Sequence, residues 1–416
     1  MLGASLRDLA KSESAGRIID ISTRFSRSLP FVAKTGTFVA IGNSEQLLCA
    51  VLRHENAEWT GSDDPAAFAE FLDAGRFHGV IPLLDAAFRS VPDLAAWPVE
   101  LRSQCHSAAL AHAGYELAHG AEIERVLSEL AHADVPPQLL KGTGLAYGIY
   151  PSPVLRPRAD TDLLIARDVR DRAIRTLQTL GYLRVGGPAG EFVGYQMQFQ
   201  RRDSHGLVHN LDLHWRISDA QSFAWLISHT ELTQAATAVP ALGRFALRLG
   251  NVHALLLSLL HRAGTNLFQS PGLGDRLIWL YDTRLLVQAM TEDELDAFRN
   301  VVETARVGAI ALEGLGHCDE RFPAPRLTAL IGALGSNPQA RAGAELLSAG
   351  RLRREWLELL AIPPVVPRLA YLAERAFPSG EYMRERYAEA SARSLAFLHS
   401  RRWLEGLGKL VQSSRR

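Results

Sequence analysis

At Asp134-Val135-Pro136-Pro137 the spacing of apolar residues changes, and near Asn251 it changes back. Outside these two points apolar side chains recur every three or four residues, the period of helices with one buried face. Between them lie short β-rich runs separated by turn signals: 138–141, 160–165, 182–185, 196–201, 208–215 and 245–249. Two helical stretches interrupt these runs. One follows Gly142 through Tyr147, and the other covers about 169–180 and is stopped by Gly181. Strands interleaved with helices predict an α+β fold with a mixed sheet, flanked by N-terminal and C-terminal helical segments. The expected organisation is a loosely ordered extension over 1–43 with one strand near Phe38–Ile41, a helical region over 44–134, an α+β core over 135–250 and a helical region over 251–416.

Within the first helical block, Leu47, Leu48, Val51 and Leu52 mark one apolar face. Asp64-Pro65 reads as an N-cap followed by proline at the first helical position, with Phe68, Phe71 and Leu72 supplying the buried stripe. A long helix across about 100–132 buries Ile123, Val126, Leu127 and Leu130, which places 44–134 in a helical bundle. His78, His106, His112, His119 and His132 fall here without a ligand pair and a flanking carboxylate, so they read as structural or surface groups. Asn251 is the expected N-cap of the helix that opens the C-terminal block.

The core contains Arg158-Ala159-Asp160-Thr161-Asp162-Leu163-Leu164-Ile165 and, further on, Leu211-Asp212-Leu213-His214-Trp215. Side chains alternate along an extended strand, so Asp160 and Asp162 point to the same face. Asp212 and His214 share a face of their own strand. If the three acids converge within ~4 Å, each pair of charges repels by roughly 4 kcal/mol at an effective dielectric of about 20. Divalent cations relieve that repulsion, and Mg²⁺ suits carboxylates combined with substrate phosphates. Asp160, Asp162 and Asp212 are therefore the candidate metal ligands and catalytic acids, with His214 orienting Asp212 or touching substrate.

In Lys141-Gly142-Thr143 a strand ends and a helix begins, which sets backbone N–H groups and the positive end of a helix dipole beside the acids. Gly142 lets a phosphate approach, Thr143 offers a hydroxyl and Lys141 a charge. Arg156 and Arg158 stand on a proline-rich approach, Pro151-Ser152-Pro153-Val154-Leu155-Arg156-Pro157-Arg158, aimed either at a triphosphate or at the carboxylates themselves.

Lys plus Arg and Asp plus Glu both number 45, so the net charge is zero and no global field favours a long nucleic acid or an anionic membrane. The strong apolar run Ala254–Leu260 is too short to cross a bilayer. Cys49, Cys105 and Cys318 are the only cysteines and fit a reducing compartment. With no secretion signal at the N-terminus, a cytoplasmic protein is expected.

These residues resemble the uncharacterised bacterial nucleotidyltransferase-like family of the DNA polymerase β superfamily. The resemblance rests on Leu139-Leu140-Lys141-Gly142, Tyr150-Pro151 with Arg156, Asp160-Thr161-Asp162-Leu163-Leu164-Ile165, Gly181-Tyr182 and Asp212-Leu213-His214-Trp215-Arg216. It continues more weakly through His261 and Arg276-Leu277-Ile278-Trp279-Leu280-Tyr281-Asp282, covering about 44–290. It implies a nucleoside triphosphate donor, Mg²⁺ or Mn²⁺, and an acceptor that is a small molecule, peptide or protein. Threonine stands at 143 where serine is usual, and the interval from Gly142 to Asp160 is longer than in the smallest members. A nucleotide-binding or regulatory module that keeps the fold without turnover is the alternative.

Overall fold

The computed structural model describes residues 43–55, 57–185 and 192–413. Of the expected extension over 1–43, residues 1–42, including a strand near Phe38–Ile41, lie outside the described residues, and Asn43 opens the first helix. Helix α1 (Asn43–Leu52) leads to α2 (Pro65–His78), α3 (Ile81–Ser90) and the long α4 (Val99–His132). Asp64 caps α2 as its sequence suggests, its carboxylate accepting from the N–H groups of Ala66 and Ala67. At the other end of α2, Gly79 adopts φ +73°, a left-handed conformation that a side chain would strain.

The core then alternates β1 (Gln138–Leu139), α5 (Lys141–Gly148), β2 (Thr161–Leu164), α6 (Arg170–Thr179), β3 (Leu183–Val185), β4 (Gln196–Arg202) and β5 (Val208–His214). Two short helices, α7 (Gln221–Ala224) and α8 (His229–Gln234), precede β6 (Thr237–Ala238) and β7 (Leu247–Arg248). Seven strands pair in the order β3-β4-β5-β2-β1-β7-β6. The β2/β5 and β1/β7 pairs are parallel and the others antiparallel, so the sheet is mixed and the fold is α+β. The sequence did not signal α7, α8 or β6, whose few residues are too short for a period to show.

One apolar core joins the helical blocks. It runs from Leu48 and Phe71 through Leu140 and Leu164 of the core to α9 (Asn251–Phe268), α10 (Leu277–Ala289), α11 (Glu292–Thr304), α12 (Gly308–Arg321) and α13 (Pro325–Gly335). The other core lies behind the sheet, where Ile123, Val126, Leu127 and Leu130 meet Leu139, Leu163, Leu211, Leu213, and Ala173 and Leu177 of α6. Helix α4 is long, about 50 Å at 1.5 Å per residue, because its two halves serve different cores. Leu101 and Cys105 face the helical core, while the stripe from Ile123 to Leu130 packs on the sheet and not within a bundle.

Asn251 is not an N-cap. Gly250 takes that position, and the Asn251 side chain instead accepts from Arg248 Nη2 at 3.0 Å and donates to Glu294 at 3.1 Å. Beyond α13 the chain continues in α14 (Ala344–Ser348), α15 (Arg351–Ala361), α16 (Val366–Ala376), α17 (Gly380–Arg386) and α18 (Leu395–Ser413). Glu358 of α15 ties this part to the core by accepting from the N–H of Gln221 at 2.6 Å.

Candidate active site

The site forms on the front of the sheet, where β2 and β5 run side by side. Asp162 pairs in register with Asp212, and Leu164 with His214. Across β5, β4 places Gln198 beside Asp212 and Gln196 beside His214, so alternation puts both acids, the imidazole and the glutamines on one face. Asp160 immediately precedes β2. Ligand atoms of Asp162, Asp212 and His214 lie within 4.8 Å of one another.

Asp162 carries most of the local bonding. Its Oδ1 accepts from Lys141 Nζ at 2.9 Å and is 2.8 Å from His214 Nε2. Burial disfavours its charge, but Lys141 and His214 outweigh burial and hold the carboxyl well below the usual range. The same ion pair keeps Lys141 above its ordinary value despite burial. Asp212 receives only a long contact from Gln198 Nε2 at 3.4 Å, and burial, then the charge of Asp162, raises its proton affinity. Burial, followed by repulsion from Asp162 and Asp212, pushes Asp160 up to about 7. The three acids thus feel one another, and their shared negative potential is only partly cancelled by Lys141.

Those donors fit a small divalent cation. Asp162 keeps its second oxygen, both Asp212 oxygens are weakly engaged, and Asp160 resists ionising next to its neighbours, a strain that positive charge removes. Oxygen-rich surroundings suit Mg²⁺, and the imidazole at 214 is compatible with Mn²⁺.

Beside the acids, α5 begins at Lys141 with φ +40°, an unusual conformation for a residue with a Cβ. Its first N–H groups have no acceptor within the helix, and the positive end of its dipole faces the cluster. A Cβ at Gly142 would meet Arg156 Nη1 at 3.2 Å and Arg158 Cδ at 3.4 Å, so the glycine lets both arginines pass close over the turn.

Four side chains have partners that differ from the sequence reading. Arg156 does not pair with Asp160 or Asp162; its Nη2 and Nε donate to Asp282 at 2.6 and 3.2 Å, and Tyr150 donates to the same carboxylate at 2.7 Å. Arg158 is buried against Glu116, with Nη1 to Oε2 at 2.8 Å, both side chains being 2 % exposed. Guanidinium groups that deep require a counter-charge, and α10 and α4 supply one each. Thr143 turns its hydroxyl away from the front face to Thr161 Oγ1 at 3.0 Å, in the buried layer behind β2. His214 binds Asp162 and not Asp212, because the register puts its ring diagonally across the two strands.

Behind β2 the hydroxyls continue into a polar chain. Thr161 Oγ1 lies 3.1 Å from His119 Nε2, His119 Nδ1 is 3.0 Å from His209 Nδ1, and His209 Nε2 is 3.3 Å from Asp203. Burial, then Arg158, holds His119 well below its ordinary value, so its ring is neutral. With Asp203 accepting from His209 Nε2–H, His209 Nδ1 accepts from His119 Nδ1–H, and His119 Nε2 then accepts from Thr161, which accepts from Thr143. Every hydrogen finds an acceptor. His119, read from sequence as a structural or surface histidine, is buried and structural in this specific sense: it anchors the strand that bears Asp162.

Sequence reasoning missed Glu116, His261 and Gln198 as neighbours of the site. His261 of α9 approaches from the helical side; burial, then the charge of Lys141, lowers it to about 3, and its ring lies 4.7 Å from Trp279. His261, Trp279 and Asp282 belong to the weaker stretches of the resemblance. The Gln196-Gln198-Gln200 alternation was a readable period-two signal.

A mixed sheet that sets in-register carboxylates beside a helix N-terminus is the site of a nucleotidyltransferase-like protein. The chain belongs to a family described as uncharacterised nucleotidyltransferase, matched over residues 64–323. That span runs from α2 through α12 and includes every residue of the cluster. No curated protein matches the chain. Among the described residues, no helix is long and apolar enough to cross a membrane.

Proposed function

We propose that the protein transfers a nucleoside monophosphate group from a nucleoside triphosphate to a hydroxyl or similar nucleophile, releasing pyrophosphate, with Mg²⁺ or Mn²⁺ bound by Asp160, Asp162 and Asp212. The observation that carries this reading is the registered pair Asp162 and Asp212, with Asp160 in the same repulsive field. Bound divalent ions would supply charge neutralisation on the phosphates. The chain's own groups do the remaining work. Lys141 and His214 fix Asp162 through one oxygen and leave the other free. Asp212, whose proton affinity is raised, takes the proton of the acceptor hydroxyl at a carboxylate oxygen. The first turn of α5 receives phosphate oxygens on backbone N–H groups.

The acceptor in this reading is a small molecule, peptide or protein in a cytoplasmic setting. Zero net charge does not favour a long nucleic acid. The test is incubation of the full chain with labelled nucleoside triphosphates, Mg²⁺ or Mn²⁺ and a broad acceptor panel, beside Asp162→Asn and Asp212→Asn. Metal-dependent label transfer or pyrophosphate release that both variants lose supports the assignment; equal activity in the variants overturns it.

One observation favours a second reading, a nucleotide-binding module without turnover. Asp162 Oδ1 already receives Lys141 and His214, so part of the acid charge is balanced within the chain. Triphosphate binding with no pyrophosphate release across the panel would select that module.

A further inference from the structure

The cations around the acid cluster differ in what they are bound to. Lys141 is paired with Asp162, Arg156 with Asp282 and Arg158 with Glu116. Arg276, directly before α10, is different. Its Nε donates to the Phe77 carbonyl at 2.7 Å, its guanidinium lies 5.5 Å from the Trp279 ring centre, and among the described residues it forms no ion pair.

The surroundings hold this guanidinium in place without neutralising it. A Cβ on Gly79 would lie 3.1 Å from Arg276 Nη2, so the left-handed turn between α2 and α3 leaves a fitted space for the fork. The Phe77 carbonyl occupies Nε, while both Nη groups keep N–H donors available. Asp160 is near enough for its charge to act on Arg276. Burial, and then the nearby Arg156, lowers Arg276 to about 10, with Asp160 and Asp282 acting in the opposite direction without pairing with it.

We propose that Arg276 is the polyphosphate-binding residue of this site, its planar fork taking non-bridging oxygens of the triphosphate and then of the departing pyrophosphate. The assignment rests on the nucleotidyl-transfer reading and adds to it a specific anchor from the helical side of the cleft. It also replaces Arg156 and Arg158, whose charges are already balanced, as the arginine contact to the donor. A guanidinium recognises paired phosphate oxygens better than an ammonium does, because two parallel N–H bonds fit the anion. Nucleoside monophosphates, which lack the outer phosphates, gain nothing from it.

The experiment is calorimetric titration of the full chain and of Arg276→Gln and Arg276→Lys. The probes are each ribonucleoside triphosphate, the matching monophosphate and inorganic tripolyphosphate, all with Mg²⁺. Arg276→Gln is expected to weaken triphosphate and tripolyphosphate binding roughly tenfold to a hundredfold, as loss of a charge-assisted bond does, and to leave monophosphate affinity unchanged. Arg276→Lys is expected to recover only part. Wild-type binding of triphosphate with Arg276→Gln equally tight would overturn the role of Arg276 and leave the transfer reading standing. No binding of any triphosphate by the wild type would remove the transfer reading and this assignment together. If Arg276→Gln melts well below the wild type, Arg276→Lys decides: undiminished triphosphate affinity refutes the forked contact, and a selective loss against monophosphate supports it.

Discussion

The two faces of strand β2 handle polar groups in opposite ways. On the back, Thr161 enters a neutral chain that runs from Thr143 to Asp203 with each donor matched to an acceptor. On the front, one residue along, Asp162 sits beside two further acids, and burial, followed by repulsion from Asp162 and Asp212, raises Asp160 to about 7. The back has completed its bonding, whereas the front has not. In the proposed function, adjacent residues on one strand thus divide the tasks of holding the fold and receiving a ligand.

The sharpest way to break this comparison is Arg158→Met, which removes the buried partner of Glu116. A loss of about 3–5 kcal/mol in urea unfolding is expected, because a buried carboxylate loses its counter-charge and keeps only the Tyr147 hydroxyl, and adding Glu116→Gln should restore much of it. If stability holds while triphosphate affinity collapses, Arg158 is a ligand group and the division between structural and binding cations fails. Next, Asp212→Asn should lower label transfer by about a thousandfold, or ~4 kcal/mol of barrier, with no loss of fold stability. Its carboxylate has only the long Gln198 contact to lose, and the change removes repulsion.

Acidification tests the helical side. His78 accepts the N–H of Leu277 through Nδ1 at 3.2 Å, and burial, then Arg276, lowers it to about 4. Its folded value lies below the unfolded one of about 6.5, so the unfolded chain binds the proton more readily and stability falls as pH drops from 6.5 through 4. About 3 kcal/mol of stability, present above that window, should be lost in it. Denaturant titrations of the wild type and His78→Gln should converge at low pH; parallel curves would show that His78 contributes nothing to the slope. The smallest effect is expected from Thr161→Val, which strands His119 Nε2 and the Thr143 hydroxyl. A cost of about 1–3 kcal/mol with metal binding intact would sharpen the comparison, and lost metal binding at full stability would reverse it.

Much of the front face could be read from the chain. Alternation put Asp162 on one face and Leu163 on the other, and two acid-bearing runs of similar length invited pairing. The sequence could not say that β2 and β5 are parallel neighbours in register, since that depends on the excursion through α6, β3 and β4. Partner choice was also invisible. Arg156 reaches Asp282, 126 residues away, and His119 reaches His209, 90 residues away, through packing that no local pattern encodes. Thr143 illustrates the limit most clearly: a hydroxyl beside a phosphate-type turn suggests a ligand contact, but the first turn of α5 rotates it behind the sheet.

The parallel register of β2 and β5 also governs how such a chain can change over evolutionary time. Additions between Ala166 and Leu183, in the excursion that leads to the edge strand β3, leave the register of Asp162 and Asp212 untouched, since β5 is held between β4 and β2. One residue added inside β5 would instead turn Asp212 into the apolar back layer and expose a leucine in its place. Insertions can therefore accumulate at the edge, while the two central strands tolerate none.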